Sequence, residues 1–91
     1  MKTKDTRLSG DIHLYSTNHH TSDYKIEVGS GYGNITQCMV FIAYLMSRSG
    51  SIIQTGFAYT TFEEATSSMV SEMNKAQTAM ELSHPVPSVL K

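Results

Sequence analysis

Ninety-one residues with 40% hydrophobic and 16% charged side chains describe one small ordered domain and exclude a disordered chain. Seven Lys/Arg against eight Asp/Glu give a formal net charge of −1, without the basic excess of a generic duplex-DNA binder. The single cysteine, Cys38, cannot form an intrachain disulfide, so a reducing, cytoplasmic setting is expected.

Residues 1–9 are polar and mixed in charge, are expected to fray, and lead into no apolar segment of the secretory type. From Leu8 a period of two sets in. Leu8, Gly10, Ile12 and Leu14 point one way and Asp11, His13 and Tyr15 the other, which predicts a half-buried strand over 10–16. Ser16 to Asp23 is wholly polar and reads as a loop. A second strand follows, with Tyr24, Ile26 and Val28 on one side and Lys25 and Glu27 on the other, pairing with the first as an antiparallel hairpin. Gly29, Gly31 and Gly33 then alternate with Ser30, Tyr32 and Asn34 and predict a mobile turn.

The stretch with most to bury is the nine-residue apolar run Cys38 to Met46. It is too short for a membrane-spanning helix, which needs about 20 residues. Val40, Phe41, Ile42 and Tyr44 are β-branched or aromatic, so the run reads as a central strand over 36–47 with Cys38 as a buried thiol. A turn at Arg48 to Ser51 leads into a fourth strand, 52–60, and a second hairpin. Strict alternation there puts Ile53, Thr55, Phe57 and Tyr59 on one face, and Ile52, Gln54, Gly56 and Ala58 on the other.

The last element carries the strongest signal. Thr61-Phe62-Glu63-Glu64 is a capping box, with Thr60 to Glu63 as a neighbouring alternative, and its acids sit at the positive end of the helix dipole. Phe62, Ala65, Met69, Met73, Ala76 and Met80 then form one helical stripe. Pro85 disfavours helix at His84, which bounds the element at 61–82 and leaves 83–91 as an extended tail.

The expected fold is α+β: a four-stranded antiparallel sheet over 10–60, built of two hairpins, with one amphipathic helix on one face, in a single domain 1–91. A single helix roofs a single face. The central run is apolar on both sides, so the second face is expected to require the tail, a second copy of the chain or another molecule as cover.

The chemistry-bearing residues argue for binding rather than catalysis. His19-His20, with His13 near and His84 distant, fall short of the four converging ligands of a structural zinc site, so no metal is expected. The glycine segment lacks the Gly-Lys-Ser/Thr of a Walker loop and the glycine at 34 of a dinucleotide fingerprint, so no cofactor is expected. No Gly-x-Ser-x-Gly elbow occurs, the Glu63–Glu64 pair is accounted for by capping, and an enzyme is not expected. The methionine series fits core packing. A binding surface is expected from outward-facing His13, Tyr15, Lys25 and Glu27 side by side across the first hairpin, with Tyr32 and Asn34 on the glycine segment and Arg48 on the next turn. Tyrosine and arginine are frequent interface anchors, and aromatics beside cations stack on unpaired bases.

At Gly56-Phe57-Ala58-Tyr59-Thr60-Thr61-Phe62-Glu63-Glu64-Ala65, a strand runs directly into a capped amphipathic helix. In that order of elements and in size, over 10–82, the chain resembles the small phage-encoded anti-CRISPR proteins directed at type I surveillance complexes. The resemblance is one of architecture and carries no motif residue across. It implies a stoichiometric inhibitor that docks on Cas subunits or guide RNA in the host bacterial cytoplasm and blocks target-DNA binding. The near-neutral charge implies steric docking rather than DNA mimicry. A second likeness is to small sheet-and-helix nucleic-acid-binding modules, although the leading helix and basic cluster of double-stranded-RNA-binding domains are missing. A homodimeric structural protein joined through the uncovered sheet face is the third expectation.

Overall fold

A computed structural model describes residues 8–83. The expected fraying of the first residues and the extended tail beyond Ser83 lie, for 1–7 and 84–91, outside the described residues. The chain runs β1 (Leu8–His20), β2 (Tyr24–Gly33), β3 (Met39–Ser47), β4 (Ile52–Tyr59) and α1 (Phe62–Ser83). The four strands form one antiparallel sheet in the order β1-β2-β3-β4, with α1 against one face, so the chain is α+β.

The central run is β3, and burial on both sides explains its continuous apolarity. Ala43 and Leu45 join Ile26, Val28, Ala65, Met69 and Met73 in the core beneath the helix. Val40 and Ile42 point to the far face and form a second cluster with Ala58, against which Leu8 and Tyr44 pack. All four of these β3 side chains are at most 1% exposed. The expectation that the middle strand leaves its second side open is therefore overturned: the centre of the far face is closed within the chain.

The alternating glycines make that closure possible. They form no turn. Gly29 and Gly31 are buried within β2, paired with Ile42 and Val40 of β3, and Gly29 also pairs with Leu14 of β1. A Cβ on Gly29 would stand 3.1 Å from both Leu8 Cδ1 and Tyr44 Cε2, and one on Gly31 would stand 3.4 Å from Ile12 Cγ1. The glycines thus line a trough in the far face into which neighbouring strands lean their apolar side chains. Close packing of this kind is why an added methyl group is felt.

Three further expectations change. The polar segment predicted as a loop continues β1 to His20, because Thr17 Oγ1 donates to the Ile26 carbonyl at 2.8 Å and the turn closes only at Thr21, whose amide donates to the Tyr24 carbonyl at 2.8 Å. A strand exposed on both faces places no demand on apolar alternation. Cys38 is exposed, not a core thiol, because β3 begins one residue later and the Cys38 carbonyl accepts from the Gly33 amide in the β2–β3 turn. In β4 the strict alternation fails at two register shifts, one between the pairs Ile42–Ala58 and Tyr44–Thr55, the other between Leu45–Gln54 and Met46–Ile52. Each inserts one extra residue in β4, so Thr55 shares the far face with Tyr44 while Tyr59 lies opposite Phe41 beneath the helix.

The helix forms as its sequence dictates. The Thr61 hydroxyl accepts from the Glu64 amide at 3.1 Å, and the Glu64 carboxylate accepts from Thr61 Oγ1 and Thr60 Oγ1 at 3.1 and 3.3 Å. Ala65, Met69 and Met73 are buried as the stripe requires, together with Thr66, whose hydroxyl donates to the Phe62 carbonyl. Gly56 lets the helix come close, since a Cβ there would meet the Ala43 carbonyl oxygen at 3.1 Å and Met69 Cε at 3.2 Å. At the other end Gln77 grips Asp23 twice: its Oε1 accepts from the Asp23 amide at 3.1 Å and its Nε2 donates to Asp23 Oδ2 at 2.8 Å.

Two stability outcomes follow. Gly29→Val is expected to lower the unfolding free energy by about 1–3 kcal/mol through overpacking against Leu8 and Tyr44; an unchanged urea midpoint would show that the trough is not filled. Gln77→Ala is expected to cost about 1–2 kcal/mol by leaving the Asp23 amide and carboxylate without this partner, with the loss read from the same denaturation curves.

Candidate functional site

The sheet registers place the seven proposed binding residues and divide them between its faces. Tyr15 pairs with Val28, whose side chain lies in the core beneath α1, so Tyr15 is on the helix side. There its ring meets Phe62 edge-on at a centroid distance of 6.0 Å, and Phe62 meets Phe41 in the same way at 6.3 Å. His13 lies beside Tyr15, with ring centroids 6.5 Å apart. Lys25 and Glu27 alternate with Ile26 and therefore face the opposite side. The expectation that His13, Tyr15, Lys25 and Glu27 form one row is overturned. The apolar set Leu8, Ile12 and Leu14, which alternates with them, turns to the far face and not to the helix.

What the register builds is two separate groups. On the helix side, beyond the start of α1, His13 and Tyr32 border a shallow depression with Ser9, Gly10, Asp11 and Met39. Asn34 stands apart from it in the β2–β3 turn, where its carbonyl accepts from Gln37 Nε2 at 2.8 Å. On the far face Lys25 and Glu27 form an ion pair at 3.5 Å. Arg48 joins them around a cavity shared with Ser16, Thr17 and His20. Arg48 is held at two points by the neighbouring β1–β2 turn: its amide donates to the Asp23 carbonyl, and its Nη1 lies 3.5 Å from the Thr21 carbonyl.

Reading across the far face shows what surrounds that charged corner. One cross-strand row is Leu14, Gly29, Ile42 and Ala58; the next is Ser16, Glu27, Tyr44 and Thr55; the third is His20, Lys25, Met46 and Ile52. The interior of this surface is sealed, whereas its margins are apolar and accessible: Leu14 is 65% exposed on one edge and Ile52 58% on the other. Accessible apolar margins around a cationic corner suit a macromolecular contact better than a small ligand. Sequence reasoning missed Leu14 and Ile52 as surface residues because their apolar character reads as core.

Among the described residues no three His, Cys, Asp or Glu side chains converge as a metal site, and no helix is long and apolar enough to cross a membrane. His19 and His20 are exposed at the end of β1. The described residues therefore offer surface groups and shallow clefts for chemistry to act through. Burial pushes the Tyr44 phenol above the ordinary tyrosine range. Its neutral form is favoured in the folded chain, so its contribution to stability is present below about pH 10 and lost as pH rises through the folded value. Among the five tyrosines, one phenol is expected to ionise late in an ultraviolet titration and to vanish from it in Tyr44→Phe.

Comparison with protein-family models, curated proteins and solved structures finds no match to this chain.

Proposed function

We propose that this chain is a non-enzymatic inhibitor that docks on a bacterial type I CRISPR–Cas surveillance complex and sterically prevents target DNA from binding. The observation that carries the docking element is the far face, where Lys25, Glu27 and Arg48 stand at one corner of a surface whose margins expose Leu14 and Ile52. Apolar side chains accessible at the margins of organised charge supply the mixture of apolar and polar groups that protein contacts use.

The choice of partner rests on the likeness in size and element order to the type I-directed anti-CRISPR proteins. The formal charge of −1 supports steric docking over imitation of a nucleic acid. The Lys25–Glu27 pair supplies both signs at the corner, which favours a mixed protein or ribonucleoprotein surface over bare phosphate. Such an inhibitor acts in the cytoplasm of the infected cell.

The test uses the full chain and a purified type I effector. Co-migration in size-exclusion chromatography and loss of target-DNA binding are expected, with Lys25→Glu/Arg48→Glu weakening both by tenfold or more, equal to about 1.4 kcal/mol. Neither co-migration nor protection would overturn the reading for the effectors used. A salt-sensitive gel shift produced by the chain alone would instead assign it to direct nucleic-acid binding.

A further inference from the structure

β1 is the part of the sheet that the fold leaves least covered. It is an edge strand of 13 residues, and α1 lies mainly over β2 and β3, meeting β1 near Phe62. Among the described residues its outer backbone edge has no neighbouring strand. Edge strands are normally blunted by charge, proline, bulges or a cover. Here the blunting is confined to the ends. Register shifts interrupt the β1–β2 ladder between Ser9 and His13, where Gly10 adopts a φ of 75° beside Asp11, and again between Ser16 and His20. Between them His13 to Ser16 pairs regularly with β2, and from Ile12 to His20 there is no Asp, Glu, Lys, Arg or Pro. Ile12, Leu14 and Tyr15 are large, exposed and clustered on this one interval.

We propose that this interval pairs with its own copy, joining two chains through antiparallel β1 strands into a continuous eight-stranded sheet. An added strand satisfies the outer amides and carbonyls of β1, and a second copy brings the same unsatisfied edge, so one two-fold contact closes both. Charge decides for self-pairing. A two-fold axis at Leu14 sets Leu14 beside Leu14 of the second copy, His13 beside its Tyr15, Ile12 beside its Ser16, and Asp11 beside its Thr17. No like charges face each other, which is the usual obstacle to pairing a strand with itself. The His13–Tyr15 pairing across the axis repeats the ring contact that the same two residues make within one chain at 6.5 Å. The two helices lie on the same side of the joined sheet, leaving the β1 strands as the floor between them. This places the dimer contact on an edge, not on the sheet face, and it stands independently of the proposed effector.

Light scattering of the purified full chain at high micromolar concentration is expected to give twice 10.1 kDa. Leu14→Glu, which sets two carboxylates face to face at the axis on a side chain already exposed, is expected to return the single-chain mass with an unchanged circular dichroism spectrum. Leu14→Cys in a Cys38→Ser background is expected to form an interchain disulfide under mild oxidation. A single-chain mass for the unaltered protein overturns the proposal and leaves the edge to a strand of a different protein. A dimer that survives Leu14→Glu overturns the assignment to β1, and failure of Leu14→Cys to cross-link overturns the axis.

Discussion

A sheet supported by one helix has to close its other face with its own side chains, and in this chain the closure depends on side chains that are absent. Gly29 and Gly31 create a trough on the far side of β2, into which Leu8, Ile12 and Leu14 lean from one strand and Tyr44 from the other. Val40 and Ile42 are sealed beside it. Larger residues at those two positions would push the neighbours away and reopen the face. The glycines cost conformational entropy within a strand, and the buried apolar area they make possible offsets it.

The helix is held by complementary means at its two ends. At its start the Thr61 hydroxyl donates to the Glu64 carboxylate and accepts from the Glu64 amide, and at the far end Gln77 locks onto Asp23 in the β1–β2 turn. Between these anchors Met69 settles against Gly56, where a register shift in β4 brings the backbone close. The line from Gly56 to Asp23 fixes the helix above β3 and β2. The same placement lets α1 meet β1 only near its start, where Phe62 touches Tyr15, so that the strand's exposed edge and the position of the helix have a common cause.

Two surfaces emerge that differ in kind. The far face offers side chains: an ion pair and an arginine at one corner and apolar groups at its margins. The β1 edge offers backbone, and it selects for an extended strand. Contacts of the first kind are tuned by charge and shape, and contacts of the second by register. Because Leu14 belongs to both, occupation of the β1 edge alters one margin of the far face and leaves the corner of Lys25, Glu27 and Arg48 untouched.

The element order, the central strand, the capped helix and its methionine stripe were all legible in the residues, because each rests on a local pattern: an apolar run, a Thr-x-x-Glu box, a 3.6-residue period. The two glycines misled for the same local reason. Alternating glycines suit a turn when read alone and suit a strand only when Leu8, 21 residues earlier in the chain, and Tyr44 are there to fill the space they leave. The division of His13 and Tyr15 from Lys25 and Glu27 was likewise out of reach, since facing depends on the pairing of Tyr15 with Val28 and on the register shifts on either side of it. A sequence carries the period of each strand, and through it which residues travel together. Which side a strand turns to its neighbour, and where two extra residues slip the ladder, is set by contacts between segments distant in the chain, and only the tertiary structure decides it.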